Sequence, residues 1–93
     1  MNSSLELTSL QNPRIKKALS LRERRHRDQL GLFLIEGYRE LTRALEGGVA
    51  IDELFYSPPL FLGKNEEYLI QKCLSQNAKL YECSEKVLRK ISY

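Results

Sequence analysis

An α/β fold is predicted by three observations: a capped helix start at Asn12-Pro13, three short apolar runs at 32–35, 51–56 and 79–83, and helical apolar spacing between and after those runs. Strands that alternate with helices need right-handed crossovers, so the expected architecture is a three-layer α/β/α sandwich around a small, mostly parallel sheet. The 93 residues suffice for one domain that buries about two-thirds of its unfolded surface, with no room for a second core.

The first helix is expected from about residue 13. Asn12 offers its side chain to the free amides, and Pro13 occupies the first helical position, where its missing N–H costs nothing. Ile15, Ala18 and Leu19 form its apolar stripe. The next position along that stripe is Arg22, where burial stops. Residues 22–29 offer nothing to a core and read as a frayed last turn and a loop.

Leu32 to Ile35, bounded by Gly31 and Gly37, reads as a strand buried on both faces. A helix over 38–46 buries Tyr38, Leu41 and Leu45, and Gly47-Gly48 ends it. The strand at 51–56 is stopped by Ser57-Pro58-Pro59. The loop that follows, to Lys64, carries the apolar Leu60-Phe61-Leu62, which either packs back on the domain or marks a contact with another one. A helix over 66–76 closes at Asn77, a strand covers 79–83, and Ser84 caps a short helix burying Val87, Leu88 and Ile91. That helix reaches the last residue, which reads as the end of a segment cut from a longer protein.

The chain is 42% apolar, without repeats or low-complexity tracts. No stretch approaches the ~20 apolar residues of a membrane span, and residues 1–4 lack the features of a signal peptide, so a cytoplasmic location is expected. Cys73 and Cys83 are too few and too far apart for a zinc knuckle, and Cys73, on the helical stripe Leu69, Ile70, Cys73 and Leu74, reads as a small core residue. His26 is the sole histidine, which rules out a histidine-based metal cluster and leaves it as a stacking or solvent-facing residue.

Charge is distributed unevenly. Residues 1–27 hold seven basic and two acidic residues, a net +5, and residues 28–93 hold eight basic and ten acidic, a net −2. All seven N-terminal cations fall between Arg14 and Arg27, against a single acid, Glu23. A cationic end of this kind suits a polyanion, since each neutralised phosphate releases condensed counterions. Lys and Arg are also good helix formers, and a solvated helix face accounts for the same charges if no polyanion binds.

The phrases that follow one another along the chain are Thr8-Ser9-Leu10-Gln11-Asn12-Pro13-Arg14-Ile15-Lys16, the basic stretch to Arg27, Phe33-Leu34-Ile35-Glu36-Gly37, Ala44-Leu45 and Ile51-Asp52-Glu53-Leu54-Phe55. In that order and spacing the chain resembles, over about residues 7–92, the N-terminal substrate-binding domain of SpoU-type (TrmH family) RNA 2′-O-ribose methyltransferases. The resemblance implies a sandwich like that of the kink-turn-binding ribosomal proteins, which holds substrate RNA beside a knotted domain that binds S-adenosylmethionine and dimerises. No glycine-rich cofactor loop of that kind occurs in these residues. The segment alone is therefore expected to have no catalytic residues, cofactor site or metal site of its own.

On this reading the partner is RNA, ribosomal or transfer, with no DNA or membrane partner. The isolated segment is expected to be a monomer and the full-length parent a homodimer. Arg22, Arg24, Arg25 and Arg27 are the leading candidates for RNA contact, because guanidinium groups clamp phosphates and stack on exposed bases. Lys16 and Lys17 are secondary candidates. Arg14 joins them because the helix dipole disfavours a cation in the first turn and so offers it no structural reward. Arg39 and Arg43, one helical turn apart, form a possible second anion site that Glu40 and Glu46 can neutralise. Glu36 precedes a helix start, where a carboxylate satisfies free amides. Two rival functions remain at this stage. One is a free-standing module related to the kink-turn-binding ribosomal proteins, and the other is an interaction domain whose basic stretch meets an acidic protein.

Overall fold

The computed structural model describes residues 6–63 and 66–92. Residues 1–4, Lys64 and Tyr93, on which parts of the sequence reading rest, lie outside the described residues. The chain folds in the order α1 (Pro13–Ser20), α2 (Arg24–Leu30), α3 (Tyr38–Glu46), β1 (Glu53–Tyr56), α4 (Glu66–Ser75), β2 (Lys79–Glu82) and α5 (Glu85–Ser92).

The sheet is parallel, as the α4 crossover requires, with Phe55 opposite Tyr81 and Tyr56 opposite Glu82. A single bridge between Leu7 and Cys83 extends it on the β2 side, where the Leu7 amide donates to the Glu82 carbonyl at 2.8 Å. Ile15, Cys83, Val87 and Ile91 form the buried core, flanked by Leu10, Leu19, Phe55 and Leu88. This core seats α1 and α5 on the sheet face that carries Phe55, Tyr81 and Cys83. Helices α3 and α4 pack against each other. The α/β class predicted from sequence is the class observed.

Local chemistry explains the boundaries that were legible. Asn12 Oδ1 accepts from the Arg14 amide at 2.8 Å, Ser84 Oγ accepts from the Val87 amide at 3.2 Å, and Gly48 takes a positive φ of 83° beyond α3. Both cysteines are buried free thiols, as a core role demands.

Two elements depart from the sequence reading. Within the stretch 22–29 expected as a frayed turn and loop begins the helix α2, Arg24–Leu30, which ends at Gly31 in the left-handed conformation (φ 68°) with its amide on the Arg27 carbonyl at 2.8 Å. Arg, Gln and Leu are strong helix formers, and a glycine stop closes the turn. None of its residues is buried, so the helix carries no apolar periodicity in the sequence.

Residues 32–36, expected as a strand buried on both faces, join no sheet. Leu32, Leu34 and Ile35 are half-buried and Phe33 is 62% exposed. This segment lines one wall of an apolar cavity of about 530 Å³ whose other walls include Leu54, Phe61, Leu69 and Ile91. An apolar run states that a segment avoids water; it does not name a strand partner. Nor does α3 bury any residue fully, although Tyr38, Leu41 and Leu45 are half-buried. Residues 58–60 form one 3₁₀ turn, and Phe61 packs on Tyr56 with ring centroids 6.3 Å apart, so most of that apolar loop folds back on the domain; Leu62 stays 70% exposed.

Candidate nucleic-acid interface

The cationic segment comprises α1, a tight elbow and α2. At the elbow the amides of Leu21, Arg22 and Glu23 bond to the carbonyls of Ala18, Leu19 and Ser20, which turns the chain without an insertion. Leu21 is buried there and anchors the elbow to the domain.

Two of the four candidate arginines are held by backbone. Arg27 Nη1 donates to the carbonyls of Leu21 at 3.0 Å and Arg22 at 2.9 Å, closing the end of α1 onto α2. Arg22 Nη2 donates to the Lys90 carbonyl at 2.7 Å and so ties the elbow to the end of α5. The expectation that residues 22–29 project as a frayed turn and loop is therefore corrected for these two, whose guanidinium groups bind backbone carbonyls at the elbow and in the last turn of α5.

Arg24 and Arg25 differ from them. Among the described residues Arg24 pairs with Asp28, at 3.7 Å, and Arg25 with Glu23, at 4.0 Å, with their side chains 86% and 73% exposed. Pairs this long and this exposed contribute little to stability. Both cations also sit in the first turn of a helix that has no acidic residue there, against the preference of the helix dipole. Lys16 is exposed on α1. Lys17, three residues after Arg14, pairs with Glu53 of β1 at 3.7 Å.

Arg14 is exposed, and its guanidinium carbon lies 4.8 Å from the centroid of the Tyr81 ring. Tyr81 in turn stacks on Phe55 at 5.3 Å with 28° between planes. Nothing in the linear sequence announced Tyr81, because its link to Arg14 arises only when β2 comes under α1.

Arg39 stands apart on α3, exposed, whereas Arg43 is the residue that Glu40 neutralises, at 3.1 Å. Glu36 is exposed and does not cap α3, whose N-cap is Gly37 with no side-chain bond, so the capping role expected of that carboxylate is not the one observed. His26 is half-buried, with Nδ1 4.0 Å from Glu23 Oε1. Burial raises the Cys83 thiol from 9.0 to about 11, chiefly by desolvation and then by the nearby carboxylates Glu6 and Glu82. Among the described residues no group of three His, Cys, Asp or Glu side chains is placed to hold a metal ion, and no helix is long and apolar enough to cross a membrane.

Fold and surface together define a small α/β domain whose α1–α2 elbow displays the exposed cations Arg14, Lys16, Arg24 and Arg25. The chain belongs to the MRM3-like substrate binding domain family, whose model matches residues 12–93. It is similar to an rRNA methyltransferase from Sinorhizobium meliloti, at 32% identity over 95% of this chain with a TM-score of 0.77. The AdoMet-bound form of an rRNA methyltransferase from the same organism superposes equally well, with a TM-score of 0.78 at 32% identity over 95% of this chain. The chain spans 31% of the length of each of these structures. No curated protein sequence gives a significant match. The motif-level resemblance to the N-terminal substrate-binding domain of SpoU-type RNA methyltransferases is borne out by the family match and by these neighbours.

Proposed function

We propose that this domain holds structured RNA on the α1–α2 elbow and presents a ribose 2′-hydroxyl for methylation by a domain outside this chain that binds S-adenosylmethionine. The observation that carries the reading is the pair Arg24 and Arg25, two exposed guanidinium groups on a helix that fully buries no residue and pairs them only weakly. Lys16 and Arg14 add further exposed cations on α1, and Arg22 and Arg27 shape the elbow. Arg39, on α3, serves as an outlying contact for a longer RNA.

The work of this chain is positioning, since orientation of a target hydroxyl is a separable part of a group-transfer reaction. S-adenosylmethionine binds elsewhere in the parent protein, the isolated 93-residue chain is a monomer, and the parent works as a cytoplasmic homodimer. Fluorescence anisotropy with a structured ribosomal or transfer RNA tests the reading. Micromolar or tighter, salt-sensitive binding is expected; no binding at low salt overturns it.

A further inference from the structure

We infer that Arg14, held by Tyr81, forms a stacking subsite for an unpaired nucleobase, an inference that rests on the RNA-binding reading and extends it to a specific contact. The observations are geometric. Tyr81 contacts both Phe55 and Arg14, with 5.3 Å between the two ring centroids and 4.8 Å from the ring of Tyr81 to the guanidinium carbon. Phe55 and Tyr81 are half-buried at the rung where β1 and β2 are in register, so the Tyr81 ring is fixed by the sheet. Arg14, over that ring, is exposed.

Among the described residues no carboxylate pairs with Arg14, and its helix gives it no help, because the first turn of α1 repels a cation. The cation–π contact with Tyr81 is what orients it. Lys17, one turn further on the same flank of α1, is already engaged by Glu53 at 3.7 Å, so Arg14 is the cation left available on the sheet side of that helix. A planar guanidinium supported from beneath by an aromatic ring presents a second flat face to solvent. Unpaired RNA bases use aromatic rings and guanidinium planes of this kind as platforms, whereas paired bases are hidden within their own stack. A lysine at the same position keeps the charge and loses the plane.

The test uses the 93-residue chain with two probes, an unpaired oligoadenylate and an RNA duplex of the same length, each titrated over a range of salt. Arg14→Lys is expected to weaken oligoadenylate binding roughly 5- to 10-fold, the low end of what one stacked base contributes, with an unchanged salt slope and unchanged duplex affinity. Tyr81→Phe keeps the ring and should bind as the unaltered chain does. Tyr81→Leu should reproduce the loss, provided circular dichroism shows the fold retained; Arg14→Lys decides the matter if it does not.

Equal affinity of Arg14→Lys for oligoadenylate, or an equal loss on both probes, overturns the subsite and leaves the elbow reading standing. A loss confined to oligoadenylate in Arg14→Lys, alongside wild-type binding by Arg24→Ala/Arg25→Ala, supports the subsite and overturns the elbow. Failure of the unaltered chain to bind either RNA overturns both.

Discussion

Ile15 shows how much a single side chain carries in a domain of this size. It has no exposed surface and sits at the junction of α1, β2 and α5 with Cys83, Val87 and Ile91. Ile15→Ala should cost about 2–5 kcal/mol, a large part of the stability of a small domain, read from the shift of a urea midpoint. Cys83 is the second such residue. Its thiol stays neutral in the fold, so it should resist alkylation at pH 8 until the chain is unfolded, which a thiol-reactive dye with and without denaturant would reveal. Ile15 was legible in the sequence as a member of an apolar stripe, whereas Cys83 was placed only at the end of a strand. The division within the arginine set was not, since the sequence cannot say that Arg22 and Arg27 reach backbone carbonyls while Arg24 and Arg25 point to water.

The helices were read best where a chemical cap marked them. Asn12 and Ser84 mark their helix starts by side-chain chemistry, and Asn12→Ala should cost about 1 kcal/mol by loss of the bond to the Arg14 amide. Helix α2 was missed because its signal is propensity and a glycine stop, with no apolar face to give a period. The run at 32–35 was misread for the opposite reason, since its hydrophobicity is plain and its partner is not encoded locally. Arg27 is the test of α2 as an element. Arg27→Ala removes two bonds from a charged donor, and a loss of about 1–2 kcal/mol with faster amide exchange in α2 is expected. Unchanged exchange would mean that α2 stands on its own propensity.

At the scale of the whole molecule, burial of ionisable groups gives the fold an alkaline limit. The Cys83 and Tyr56 acidities are both weakened in the folded state, chiefly by desolvation. A raised pKa means that the unfolded chain sheds its proton first. The stabilising contribution of Cys83 is therefore complete below pH 9.0 and is lost as pH rises through about 11. Thermal unfolding followed from pH 8 to 11 should show a falling midpoint, and a Cys83→Ala chain should show a shallower fall.

The distribution of charge is the other whole-molecule property, and it was the most legible feature of the sequence. A net +5 over residues 1–27 pointed to the segment that the structure shapes into the α1–α2 elbow. The central claim is that Arg24 and Arg25 meet phosphates. Salt-dependent RNA binding by the unaltered chain and by Arg24→Ala/Arg25→Ala measures it directly, with circular dichroism to show that the fold persists. Each lost phosphate contact lowers the slope of log affinity against log salt by about 0.7 to 0.9, so the account predicts a slope shallower by about 1.4 to 1.8 and weaker binding at low salt. An unchanged slope and affinity in a folded variant would contradict it and place the RNA surface elsewhere on the domain.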